Sequence, residues 1–91
     1  MTSRASKGED PAEAAILELA GARGAGKTIC PSEAARALAG DDPAFQRHMP
    51  AVRRAAVRLA TEGRLVITRK GKAVDPQDFK GVYRLGLPAE E

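Results

Sequence analysis

The sequence predicts an α+β domain in which three helices precede a two-stranded antiparallel hairpin. Apolar residues recur at helical spacing as far as Leu59, and the pattern changes to a strand period after Gly63. Pro11, Pro31 and Pro50 each suit the first position of a helix. Because no repeat or linker divides the 91 residues, we expect one domain over residues 10–87, with tails at 1–9 and 88–91.

The first two helices carry clear start and stop signals. Asp10 can cap the first helix, and Glu13 can reach back to complete a capping box. Gly21 or Gly24 ends that helix. After a short extended link at residues 28–29, the second helix runs from Pro31 to a stop at Gly40, and one short turn follows through residue 48.

The third helix is predicted from Pro50 to Gly63 and is amphipathic. Its apolar face consists of Val52, Ala55, Ala56 and Leu59. Its opposite side carries Arg53, Arg54, Arg58 and Thr61, with Val57 among them. The polar side of this helix is therefore almost purely cationic.

A β-hairpin is predicted after the third helix. Residues 65–68 form a β-rich run, the glycine in residues 69–72 indicates a turn, and residues 82–87 form the returning strand. Helix, extended link, two helices and a hairpin follow one another as in a winged helix-turn-helix, with the hairpin as the wing. In that fold the second helix of the motif enters the major groove of DNA.

Positive charge is concentrated in one third of the chain. Residues 44–72 hold eight of the 15 Lys and Arg residues and one of the 12 Asp and Glu residues. The segments on either side each carry more acidic than basic residues, although the whole chain has a net charge of +3. This segregation directs attention to the third helix and the wing.

The segment from Gly21 to Thr28 matches the phosphate-binding pattern GxxxxGK[ST] at every fixed position. A phosphate-binding loop of this kind follows a buried strand and runs directly into a helix. Here an amphipathic helix precedes the motif, and Pro31 restricts the chain just after it. We therefore interpret the segment as a glycine-rich turn between helices.

Other reactive side chains are few. The single cysteine, Cys30, and the single histidine, His48, are too few for a typical zinc site, and Cys30 is expected to be half-buried and structural. Asp75 and Asp78 are interpreted as turn residues around Pro76. We expect no enzymatic activity, no cofactor, no metal and no membrane contact. A cytoplasmic location is predicted because neither a signal peptide nor an apolar span is found.

The leading functional hypothesis is binding of nucleic acid, with double-stranded DNA as the expected partner. Arginine suits bidentate contacts with phosphate and guanine. The candidate contacts are Arg47, Arg53, Arg54, Arg58, Thr61, Arg69, Lys70 and Lys72. The rival hypothesis is a protein-interaction module that binds an acidic partner through Val57 and the open edge of the wing. The sequence does not indicate an oligomeric state.

Four segments together resemble a bacterial domain-of-unknown-function family with a winged-helix-like fold, over residues 12–87. They are Ser32–Leu38, Met49–Arg53, residues 67–71 together with 74–76, and Lys80–Leu85. The resemblance implies the winged-helix fold. It implies no activity for any individual residue.

Overall fold

The computed structural model describes residues 10–24 and 26–88. Within them, helix α1 spans Pro11–Arg23, α2 spans Pro31–Ala39 and α3 spans Met49–Thr61. A 3-10 turn, Phe45–His48, joins α2 to α3. The three predicted helices are confirmed to within two residues at each end. Apart from Pro88, the predicted tails lie outside the described residues.

The starts of α1 and α2 are capped by carboxylates, in two different ways. Asp10 Oδ1 accepts hydrogen bonds from the backbone N–H groups of Ala12 (2.8 Å) and Glu13 (3.4 Å). The predicted capping role of the Glu13 side chain is wrong, because that carboxylate reaches α3 instead. In α2 it is Glu33 that reaches back, accepting a hydrogen bond from the N–H of Cys30 at 3.0 Å.

The β-structure is a four-stranded antiparallel sheet, so the predicted two-stranded wing is wrong. Its strands are β1 (Thr28–Ile29), β2 (Val66–Arg69), β3 (Lys72–Ala73) and β4 (Arg84–Gly86), in the order β1-β4-β2-β3. The predicted extended link is β1, which pairs with β4. The turn after β2 leads into β3, whereas the predicted returning strand is β4, on the other side of β2.

Backbone conformation explains two of these differences. Lys70 and Gly71 have φ of 54° and 82°, the signs that a two-residue I′ hairpin turn requires, so β2 folds back at once onto β3. At Gly86, an added Cβ would lie 2.6 Å from the carbonyl oxygen of Lys27. The absence of that carbon allows the segment leading into β1 to approach β4 closely.

The core lies between the helices and one face of the sheet. The register aligns Ile29 and Ile67 with Leu85, and all three side chains are buried. Val52 and Leu59 meet them from α3. The aromatic residues Phe79 and Tyr83 are also buried, each at 7% exposure. They belong to residues 74–83, which connect β3 to β4 and are called the 74–83 loop below.

Candidate nucleic-acid interface

Helix α3 buries its predicted apolar face and leaves its cationic side outward. Val52, Ala55, Ala56 and Leu59 have no measurable exposure. This orientation follows from the apolar period, because burying that face removes the most apolar surface from water. The cationic side chains around it nevertheless fall into three groups according to what they contact.

Arg58 joins α3 to the start of α1. Its Nε donates to Glu13 Oε2 at 2.6 Å, and a terminal nitrogen donates to Asp10 Oδ2 at 2.9 Å. Glu13 is 6% exposed, so its carboxylate has little access to water and depends on this partner. The hydrogen bond with Glu13 raises the pKa of the Arg58 guanidinium, although partial desolvation opposes it. Arg58 is thus an interhelical contact of the fold.

Arg53 holds the 74–83 loop against α3. Its guanidinium carbon lies 4.0 Å from the centroid of the Phe79 ring and 5.7 Å from that of Tyr83. A terminal nitrogen also donates to the carbonyl oxygen of Phe79 at 2.8 Å. The two rings pack edge to face with centroids 5.1 Å apart. The position of the Arg53 guanidinium is thus determined by its contacts with the loop.

Thr61 and Arg69 contact the same loop from α3 and β2. The Thr61 hydroxyl donates to the carbonyl oxygen of Val57 at 2.7 Å and accepts from Gln77 Nε2 at 3.1 Å. Arg69 Nε donates to the carbonyl oxygen of Val82 at 2.9 Å. The 74–83 loop therefore lies between α3 and the β2–β3 hairpin and is hydrogen-bonded to each of them.

Three of the predicted contact residues stay without an intramolecular partner. Arg54 on α3 and Lys70 and Lys72 at the hairpin are exposed, and none of their side chains forms a hydrogen bond or ion pair within residues 10–24 and 26–88. Arg47 is intermediate between the partnered and the unpartnered cations. One of its guanidinium nitrogens is 3.8 Å from Asp42 Oδ2, but its side chain is 69% exposed. An exposed pair at this distance is weak.

Lys80 is a cation that the sequence interpretation missed. It is exposed, its side chain has no partner in the part of the chain that the structure describes, and it follows Phe79, whose carbonyl accepts from Arg53. It therefore lies on the loop between α3 and the hairpin. The charge count placed it in the acidic segment 73–91, and only the contacts of the loop bring it beside the basic third of the chain.

The glycine-rich motif lies in a context opposite to that of a phosphate-binding loop. Its first three residues belong to α1, Gly24 caps that helix, and Thr28 begins a strand. A phosphate-binding loop has its strand before the motif and its helix after it. Thr28 Oγ1 accepts a hydrogen bond from Arg84 Nε at 2.7 Å, which links β1 to β4.

The remaining candidate side chains have structural surroundings. Cys30 is half-buried at the N-cap of α2, with its sulfur 3.1 Å from the Ser32 hydroxyl oxygen. Asp75 Oδ1 accepts from the N–H of Gln77 at 2.9 Å, the local turn that was predicted there. No group of His, Cys, Asp and Glu within residues 10–24 and 26–88 is arranged to hold a metal ion.

Comparison with known proteins identifies the family. The profile of a protein family of unknown function, DUF3253, matches residues 9–88. The chain belongs to the DUF3253 family. The resemblance to a domain of unknown function is thereby confirmed, whereas bacterial origin and the winged-helix fold stay predictions. No curated protein matches this DUF3253 chain. In the part of the chain that the structure describes, no helix is long and apolar enough to cross a membrane.

Proposed function

We propose that this DUF3253 domain is a winged helix-turn-helix that binds double-stranded DNA through α3 and the β2–β3 hairpin. The order of elements supports it: α2 and α3 form the helix pair, and β2 and β3 form a hairpin directly after them. Lys70 lies in the hairpin turn and Lys72 begins β3, and both are exposed. A wing in that position would contact the phosphate backbone beside the groove that α3 enters.

The observation that carries the proposal is that four exposed cations without a side-chain partner among the described residues lie on three elements that contact one another. Arg54, Lys70, Lys72 and Lys80 occupy α3, the hairpin and the 74–83 loop, whereas Lys27, which is also exposed and unpartnered, precedes β1. A guanidinium or ammonium group without an acidic neighbour is free to neutralise phosphate, and release of counterions from DNA then favours binding. This proposal does not include Arg58 among the DNA contacts, because its guanidinium already pairs with the carboxylates of Asp10 and Glu13.

Sequence selectivity should be modest. On α3, Arg54 carries the guanidinium that has no partner among the described residues. One bidentate contact with guanine discriminates by about 1–3 kcal/mol. Lysines act on phosphate as point charges and do not read bases. A small transcriptional regulator or an accessory DNA-binding factor fits such a surface.

The test is fluorescence anisotropy of a labelled duplex of about 20 base pairs, titrated with protein from about 50 to 200 mM salt. Four phosphate contacts predict that the logarithm of the affinity falls with the logarithm of salt at a slope of about −4. Arg54→Gln should reduce the magnitude of that slope by about 1. Arg36→Gln is the control: it also removes one exposed arginine, from α2, whose guanidinium lies 4.3 Å from the centroid of the Phe45 ring, and should leave the slope unchanged.

Absence of binding at about 50 mM salt would contradict the proposal. So would equal effects of the Arg54 and Arg36 substitutions on the slope. The rival hypothesis of an acidic protein partner has less support. Val57 packs against the core, and the open edge strand β3 has only two residues, one of them Lys72. Lysine on an edge strand discourages strand addition.

A further inference from the structure

A small apolar groove lies where the start of α2, the start of α3 and the end of the 74–83 loop meet. Its volume is about 360 Å³, and it is lined by Cys30, Pro31, Met49, Gly81, Val82 and Tyr83. Among the described residues, Val82 is the large hydrophobic residue that is exposed, at 83%. Isolated apolar side chains on a surface are ordinary, but here the exposed one adjoins an apolar cavity.

The groove is also lined by a polar side chain without a hydrogen-bond partner among the described residues. Tyr83 as a whole is 7% exposed, and its hydroxyl makes no hydrogen bond within the described chain. A hydroxyl without a protein partner is an uncommon feature of a residue this buried. Burial raises the pKa of this hydroxyl, while the positive charge of Arg53 partly opposes the rise. The phenol is therefore neutral at physiological pH and available as a hydrogen-bond donor.

We propose that this groove binds a small, mainly apolar molecule that carries one hydrogen-bond acceptor, and that the acceptor takes the hydroxyl proton of Tyr83. Pockets for small molecules are mostly apolar, with a few polar groups that orient the ligand. The groove has that composition, and its volume lies at the lower end of the range of about 300–1,000 Å³ for such pockets.

The size of the groove favours a small molecule over a macromolecule. Six residues line it, whereas a stable protein interface uses about 20–30 residues on each side. The chain itself offers a poor occupant, because the residues outside the described ranges include one large apolar side chain, Met1. None of the six lining residues is itself a proposed DNA contact, although Gly81 directly follows Lys80 on the same loop.

The experiment is a titration of the full chain with acetophenone, followed by the methyl NMR signals of Met49, Val82 and Val66. Acetophenone has an aromatic body and one carbonyl acceptor, and toluene serves as the probe without an acceptor. We expect saturable shifts at Met49 and Val82 with each probe. The Val66 methyls should not shift, because Val66 does not line the groove.

Two variants test the individual contacts. Tyr83→Phe keeps the ring and removes the donor, so acetophenone should bind about two- to tenfold more weakly while the affinity for toluene stays the same. Val82→Ser alters an exposed side chain that the core does not need, and should weaken binding of both probes. Lack of saturable shifts, equal shifts at Val66, or equal loss of both probes in Tyr83→Phe would overturn the proposal. It would also fail if the Val82 signals changed with protein concentration alone, since a second copy would then cover the groove.

Discussion

Arg54 and Arg58 lie one turn apart on α3 and differ completely in their surroundings. Arg58 is hydrogen-bonded to Glu13 and Asp10 at the seam between α1 and α3. Arg54 is exposed, and its side chain has no hydrogen bond or ion pair within the described residues. A helical wheel places both on the polar side. Glu13, the partner that distinguishes Arg58 from Arg54, lies 45 residues before Arg58 in the sequence. Only the tertiary structure therefore shows which arginine is an interhelical contact and which is a candidate DNA contact.

The largest expected effect is at the seam. Arg58→Met should reduce the free energy of unfolding by about 2 kcal/mol, because the nearly buried carboxylate of Glu13 loses its charged donor. The 44% exposure of the Arg58 side chain keeps the loss below that for a fully buried pair. Urea unfolding measures the difference, and the melting temperature should fall by about 10 °C.

Arg54→Met is the matched control for that substitution. The same change on the same helix should alter the free energy of unfolding by no more than about 0.5 kcal/mol, as at other exposed sites. If the two variants lose equal stability, the distinction between the seam and the open side of α3 is wrong.

Arg53 should give an intermediate result, because it belongs to α3 but holds the 74–83 loop. Arg53→Leu removes the cation–π contact with Phe79 and the hydrogen bond to its carbonyl oxygen, which together contribute about 1–2 kcal/mol. Arg53→Lys keeps the charge near the ring but loses the planar geometry, so its loss should be smaller. Urea unfolding of the two variants checks the order; a greater loss for lysine than for leucine would contradict it.

A smaller effect on stability is expected at the hairpin tip, together with a clear effect on DNA. Lys70 has a positive φ of 54°, which asparagine adopts more readily than lysine. Lys70→Asn should therefore leave the free energy of unfolding unchanged or raise it by a few tenths of a kcal/mol, since Asn-Gly is favoured in I′ turns. It should also reduce the salt dependence of DNA binding by about one contact. If Lys70→Asn lowers the free energy of unfolding and leaves DNA binding unchanged, the assignment of Lys70 as a DNA contact is wrong.

The sequence predicted the helices well because their signals are local. Asp10, Pro11 and Pro31 mark helix starts whatever the rest of the chain does. The sheet was underestimated because its pairing is not local: β1 has two residues, and its partner β4 lies more than 50 residues later. The candidate contacts were located by charge and by the predicted helix and wing, and neither reveals that Arg53 and Arg69 donate to loop carbonyls. Lys80 was missed for the same reason.

The smallest expected effect is a shift in titration at Tyr83, which lies next to Arg53. Burial raises the pKa of this hydroxyl above the ordinary value of about 10, and Arg53 opposes the rise. The folded state thus holds the proton more tightly than the unfolded state, so this contribution to stability is present below pH 10 and is lost as pH rises through the folded pKa. Because the chain has one tyrosine and no tryptophan, tyrosinate absorbance reports the titration directly. In Arg53→Leu the midpoint should move higher still, since the opposing positive charge is gone while the burial remains. A midpoint that moves lower would mean that the 74–83 loop leaves α3 without Arg53, and that Tyr83 then becomes accessible to water.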